Sequence, residues 1–171
     1  NLLTTSDSGS DTIIFSGLSN SLNGSDSIAT YQTNDKFDFS NLLSSGSITN
    51  SSAGTITIAS EAALSEEATS IQINDEQVYV AEVATKANVT TANNVFTALS
   101  DNGLLDALDF ASNADAVLIL GGADDDTLQY IYGIDNVSTE AIISSEITLL
   151  GTVTTDITEG IQGLIVDNFL F

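Results

Sequence analysis

The sequence predicts a mainly β fold with a few short helices. An irregular β-roll or sandwich-like part covers residues 1–50, and a β-rich α+β module covers 51–171. Three observations carry this. Short apolar stretches alternate with polar residues at period two and are bounded by Gly, Ser, Asn and Asp, the grammar of strands and turns. Helical periodicity of useful length occurs only near residues 91–110. Hydrophobic residues make up 42% of the 171, and mean hydropathy is +0.19, so a core can form and wholesale disorder is excluded.

In chain order, Asp11-Thr12-Ile13-Ile14-Phe15 reads as a strand entered from a Gly/Ser/Asp turn. Asn23-Gly24-Ser25-Asp26-Ser27-Ile28 repeats that pattern, and Lys36-Phe37-Asp38-Phe39-Ser40 alternates apolar with polar. Residues 44–54 are Ser- and Gly-rich and mark the expected boundary between the two parts. Thr55 to Ile58 alternates as a strand, and Glu61 to Ala68 has helical composition. Ser70 to Ile73 and Gln77 to Ala81, separated by Asn74-Asp75-Glu76, are expected to pair as a hairpin. Val95, Leu99, Leu104, Leu105 and Leu108 suit an amphipathic helix, broken or kinked at Asn102-Gly103. Ala116 to Leu120 is a buried strand, Gly121 to Asp126 a turn, and Thr127 to Tyr132 the returning strand. Glu146 to Leu150 is a further strand ending at Gly151, and the chain closes on the apolar stretch Leu164 to Phe171.

Two lysines stand against 24 Asp and Glu, a net charge of −22, with no Arg, His, Cys, Pro, Met or Trp. There is no basic surface for nucleic-acid phosphates or anionic lipid. No apolar run is long enough for a spanning helix. The usual zinc and copper ligands, thiol nucleophiles and the usual general base are absent. A charge of this size opposes compaction and calls for neutralisation by salt, a polycation or hard cations. Calcium fits best, because carboxylate, amide and carbonyl oxygens are its ligands. The start at Asn1, with no Met and no leader-like segment, points to a processed product or a piece of a longer chain.

The unit Gly-x-Asp-x-aliphatic occurs at Gly9–Ile13 and Gly24–Ile28, its aspartates fifteen residues apart. Glycine frees the turn so that carbonyls face inward, the Asp closes on the same cation, and the aliphatic enters the core of a roll. Asp7 to Phe15 resembles the Gly- and Asp-rich nonapeptide of RTX proteins, and Asp26 to Ser40 resembles the segment that follows an RTX β-roll. Residues 114–171 are similar to a C-terminal module of type I secreted surface proteins of Gram-negative bacteria and cyanobacteria, on the pattern Val117–Leu120, Gly121–Asp126, Thr127–Tyr132 and Glu146–Gly151. The resemblance implies export by a type I secretion exporter, an uncleaved C-terminal signal ending in Asp167-Asn168-Phe169-Leu170-Phe171, and folding outside on meeting calcium.

The candidate calcium ligands are Asp7, Asp11, Asp26, Asp35, Asp38, Asp124, Asp126 and Asp135, in roughly one to three irregular sites. One of these would use Asp124 or Asp126 with Asp135. No catalytic arrangement is expected: triad logic fails without a base, and a glycosidase pair lacks an aromatic cleft. Tyr130 and Tyr132 read as packing residues. The expected role is an extracellular, calcium-stabilised structural protein of the bacterial surface, a layer, matrix or filament subunit that self-assembles, or an anchoring module. The rival readings are the non-catalytic secretion domain of an RTX enzyme, a calcium-dependent carbohydrate- or peptide-binding adhesin module, and a halophile's soluble binding domain.

Overall fold

The computed structural model describes residues 2–4, 9–18, 26–52, 55–64, 70–100, 102–123, 125–136, 142–155 and 160–171. Its frame is the longest alternating segment of the sequence. Strands β12 (Asp115–Gly122) and β13 (Asp125–Asp135) form the expected hairpin, and β14 (Ile147–Thr155) pairs antiparallel with β13. On the other side, β10 (Gln77–Val83) runs parallel to β12. Two short strands, β5 (Ser47–Ile48) and β8 (Ala59–Ser60), share the outer edge of β10. Beyond β14, β3 (Asp26–Tyr31) and β1 (Leu2–Thr4) add in parallel. The result is one eight-stranded mixed sheet, to which residues 1–50 and 51–171 both contribute strands.

Both faces of this sheet are covered, so its central strands read as continuous apolar runs. Val78, Val80, Val117, Ile119 and Ile131 point to one side, and Tyr79, Ala81, Leu118, Leu120, Tyr130 and Tyr132 to the other. The first side meets a small parallel sheet of β2 (Thr12–Ile14), β4 (Lys36–Asp38) and β15 (Phe169–Leu170). The second side meets helix α2 (Ala92–Leu99), a 3-10 turn at Lys86–Val89, and the parallel pair β9 (Ile71–Ile73) with β11 (Leu108–Phe110). A bulge in β14 opposite Ile131 and Tyr132 lets Leu150 and Val153, three residues apart, both face the roll side. A further small hairpin joins β6 (Ser51–Ser52) and β7 (Thr55–Ile56), and α1 is the single turn Glu61–Leu64.

Three sequence expectations need correction. Ile71–Ile73 and Gln77–Val83 are both strands, but they do not pair as a hairpin; β9 joins β11 and β10 joins β12. The turn between them carries Glu76 at φ 59°, and Glu76 N–H donates to the Asp115 carbonyl at 2.7 Å, so the chain leaves toward β12 instead of folding back. The helix stops at Leu99, and Leu108 lies in a strand. Asn102 is left-handed at φ 61°, and a Cβ on Gly103 would stand 2.2 Å from the Ala98 carbonyl oxygen, so this Asn-Gly ends the helix. The fifteen-residue repeat also gives way to a longer one. Chain segments alternate between the two sheets, β1 and β3 in the large one and β2 and β4 in the small one, so one rung takes two strands. Leu2 therefore pairs with Ser27 and Thr12 with Lys36.

Candidate functional site

Two of the predicted acids, Asp11 and Asp35, meet where the rungs turn. Lys36 N–H donates to the Asp11 carbonyl at 2.8 Å, which sets Asp11 beside Asp35 in adjacent rungs. The third rung is supplied from far along the chain, because β14 joins β3 in the large sheet while β15 joins β4 in the small one. With Phe169 and Ile13 on either side of Phe37, Asp167 falls at the register position of Asp35 and Asp11, exposed in the 3-10 turn Val166–Asn168 that leads into β15. Three segments then share one pattern, Asp-x-apolar-x-Phe: Asp11–Phe15, Asp35–Phe39 and Asp167–Phe171. This recurrence was present in the sequence but hidden by the 127 residues that separate the second segment from the third.

The middle aspartate is the hub. Asp35 is 1% exposed, and its two oxygens accept the backbone N–H of Asp11 at 2.9 Å and of Gln32 at 2.8 Å. Asn168 follows the third aspartate and is fully buried; its Nδ2 donates to the carbonyls of Thr33 at 2.8 Å and Asp35 at 3.0 Å. Lys36 Nζ donates to the Asp167 carbonyl. Ser10 Oγ donates to the Asn34 carbonyl at 2.6 Å. Tyr31 Oη donates to the Asp35 carbonyl at 2.8 Å, and burial, with the Asp35 charge adding to it, pushes that hydroxyl's pKa up. Side chains thus bond one rung to the next.

Behind the turns the apolar members of the pattern stack. Tyr31 and Phe37 lie parallel at 4.5 Å, Phe15 and Phe39 stack 28° apart in plane at 4.9 Å, and Phe169 stands 5.8 Å from Phe37. On the outer face Ile14, Asp38 and Leu170 form one row, and Ile14 is 59% exposed. Asp38 Oδ1 accepts from Ser40 N–H at 2.9 Å and Ser40 Oγ at 2.6 Å, an Asx turn.

A second acidic group lies at the other end of the large sheet. Asp115 faces Asp135 across β12 and β13, and Asp115 N–H donates to Asp75 Oδ1 at 2.9 Å. Desolvation first, then the charges of Asp135, Asp75 and Glu76, raise the Asp115 carboxyl's pKa above its ordinary value. Hydrogen bonds from Ser44 and Ser45 hold the Glu76 carboxyl below its own. Sequence reading singled out Asp135 here but missed Asp75, Glu76 and Asp115, which only the β10–β12 register brings together.

The remaining predicted ligands are dispersed. Asp7 and Asp124 lie outside the described residues. Asp26 opens β3 and Asp35 follows its far end, so the strand alone separates them by ~17 Å at ~3.3 Å per residue. Asp126 and Asp135 stand near opposite ends of β13, ~30 Å apart by the same rise, so they cannot share one ion as expected. Among the described residues no three carboxylates meet closely enough to hold a metal ion, and each Asp35 oxygen accepts one backbone N–H. A groove of 540 Å³ beside α2 is lined by Asn88, Asn94, Thr97, Ser100, Asn102 and Leu104, among others. The Thr97 and Ser100 hydroxyls there donate to helix carbonyls, and no acid, base or nucleophile set stands among those lining residues.

This roll of aspartate-capped rungs under a mixed sheet defines a mainly β protein whose described site is built for cohesion between rungs. Comparison with known proteins finds no matching family model, no matching curated protein and no matching solved structure.

Proposed function

We propose that the chain is an extracellular, calcium-stabilised structural module of a bacterial cell-surface protein, exported by a type I system and used in a layer, matrix or filament. The observation that supports this most is the alignment of the Asp11, Asp35 and Asp167 segments as neighbouring rungs of a parallel roll, in a chain of net charge −22. A roll of this kind presents repeating backbone and side-chain surfaces, which suits a building element. Calcium's part in the reading is to neutralise acids that two lysines cannot balance.

The test is a thermal melt followed by circular dichroism in EDTA, in millimolar calcium, and in sodium chloride of matched ionic strength. The expected result is a midpoint in calcium well above the salt control. Equal midpoints in calcium and in salt would make the acids a general surface charge and remove calcium from the function.

A further inference from the structure

The segment 160–171 sits in the roll as a ligand sits in a groove. Ile161, Leu164 and Phe169 are buried in the roll-side core, and the Phe171 ring lies where a Cβ on Gly46 would be. The backbone of β15 pairs with β4, and Phe39 N–H donates to the Leu170 carbonyl at 2.9 Å. Asn168 adds its two bonds to the Thr33 and Asp35 carbonyls. These partners come from residues 33–46, far from this segment in sequence.

We propose that this slot along β4 also takes residues 160–171 of a second copy, so that copies join by exchanging their closing rung. Exchange preserves every contact within the slot, so its cost is chiefly the entropy of association, offset at high local concentration. Recognition is written into Asp167-Asn168-Phe169: it places a backbone carbonyl for Lys36, an amide on the Asp35 carbonyl, and one ring against both Phe37 and Phe39. Charge selects the same occupant. Two copies of a chain at −22 repel, yet residues 160–171 carry one acid, Asp167, and its carbonyl meets Lys36, one of the chain's two lysines. Each copy that gives its rung to one neighbour and receives another's becomes a link in an open chain or ring. This deepens the assembly reading above and names its partner, but it requires no calcium.

The chain has no cysteine, so cross-linking is clean. Asp38 and Leu170 are direct neighbours across β4 and β15. D38C and L170C chains are mixed at high concentration in EDTA, warmed to partial unfolding, cooled and oxidised. The expected result is mixed D38C–L170C dimers several-fold above what random collision of exposed thiols gives. The double variant D38C/L170C, oxidised first, closes the slot on its own strand; it is expected to stay monomeric by light scattering while the unmodified chain assembles. Mixed dimers at the random level, or equal assembly of the locked double variant, overturn the exchange. Neither outcome bears on the calcium melts, so the two ideas fail separately.

Discussion

On the roll side of the central sheet, β2, β4 and β15 contribute three, three and two residues, drawn from positions 12 to 170. On the far side, the cover comes largely from one stretch, residues 71–110, in which α2 is entered through Thr91 and left at Ser100. The roll side is rich in rings, with Phe15, Tyr31, Phe37, Phe39 and Phe169 in mutual contact. The far side is mainly aliphatic. Strands of two or three residues have too few ladder bonds to hold themselves. The roll therefore leans on ring packing and on side chains that bond backbone from rung to rung, whereas the far side leans on local helix and turn chemistry. Single substitutions are expected to act more globally on the roll.

The largest effect follows from the rings. Phe37 is buried and touches Phe15, Tyr31, Phe39 and Phe169. Phe37→Ala is expected to cost about 3–5 kcal/mol in urea unfolding. It should also release β2 and β15 together, which hydrogen exchange of Ile13 and Phe169 amides would report. Loss confined to the mutated strand would mean that the rungs are not coupled through the stack.

Next comes the clamp. Asp35→Ala leaves the part-buried Asp11 and Gln32 N–H groups without their acceptor, at about 1 kcal/mol for each donor. Asp35→Asn keeps one oxygen but sets an amide N–H against a backbone N–H, so it should recover less than half of the loss. The two variants are expected to lose equal stability in EDTA and in calcium. A deficit seen only in calcium would place a cation at Asp35 after all.

The contrast also explains what could be read from residues alone. The far-side and central elements were legible because their signals are local: the apolar run 116–120 with its Gly/Asp turn, and the helical spacing after Thr91. The roll strands at 12–14 and 36–38 were legible as strands, but their partners were not. Pairing is set by which sheet each segment joins, and that follows from long-range register. The aspartates were singled out as calcium ligands; which aspartates meet was not legible. Asp11 was matched with Asp26 by spacing, whereas the rung matches it with Asp35. Asn168 gave no signal beyond following Asp167, because a buried amide draws its meaning from the carbonyls it reaches.

On the far side the expected losses are smaller and local. Thr91 Oγ1 accepts the Asn94 N–H at 3.1 Å and caps α2. Thr91→Ala is expected to cost about 1 kcal/mol. Faster hydrogen exchange in residues 92–99, with Ile13 and Phe37 amides unchanged, is the check on its local reach.

The smallest effect has the opposite sign. Asp115 and Asp135 face each other at neighbouring ends of β12 and β13, with Asp75 and Glu76 close by. Because the folded state raises the Asp115 pKa, the folded chain binds its proton more tightly than the unfolded chain does. Stability from this group is therefore present at acid pH and falls as pH climbs from the ordinary Asp range through the raised folded value. Asp115→Asn removes the repulsion while its backbone bonds to Asp75 and Glu76 remain. It should stabilise the chain at neutral pH by roughly 0.2–1 kcal/mol, the scale of a like-charge pair across strands, toward the low end because solvent screens it. The gain should shrink in high salt and vanish below the ordinary Asp range, so melts of the variant and parent at pH 3 and pH 7 decide it. An equal gain at both pH values would trace the effect to packing instead of charge.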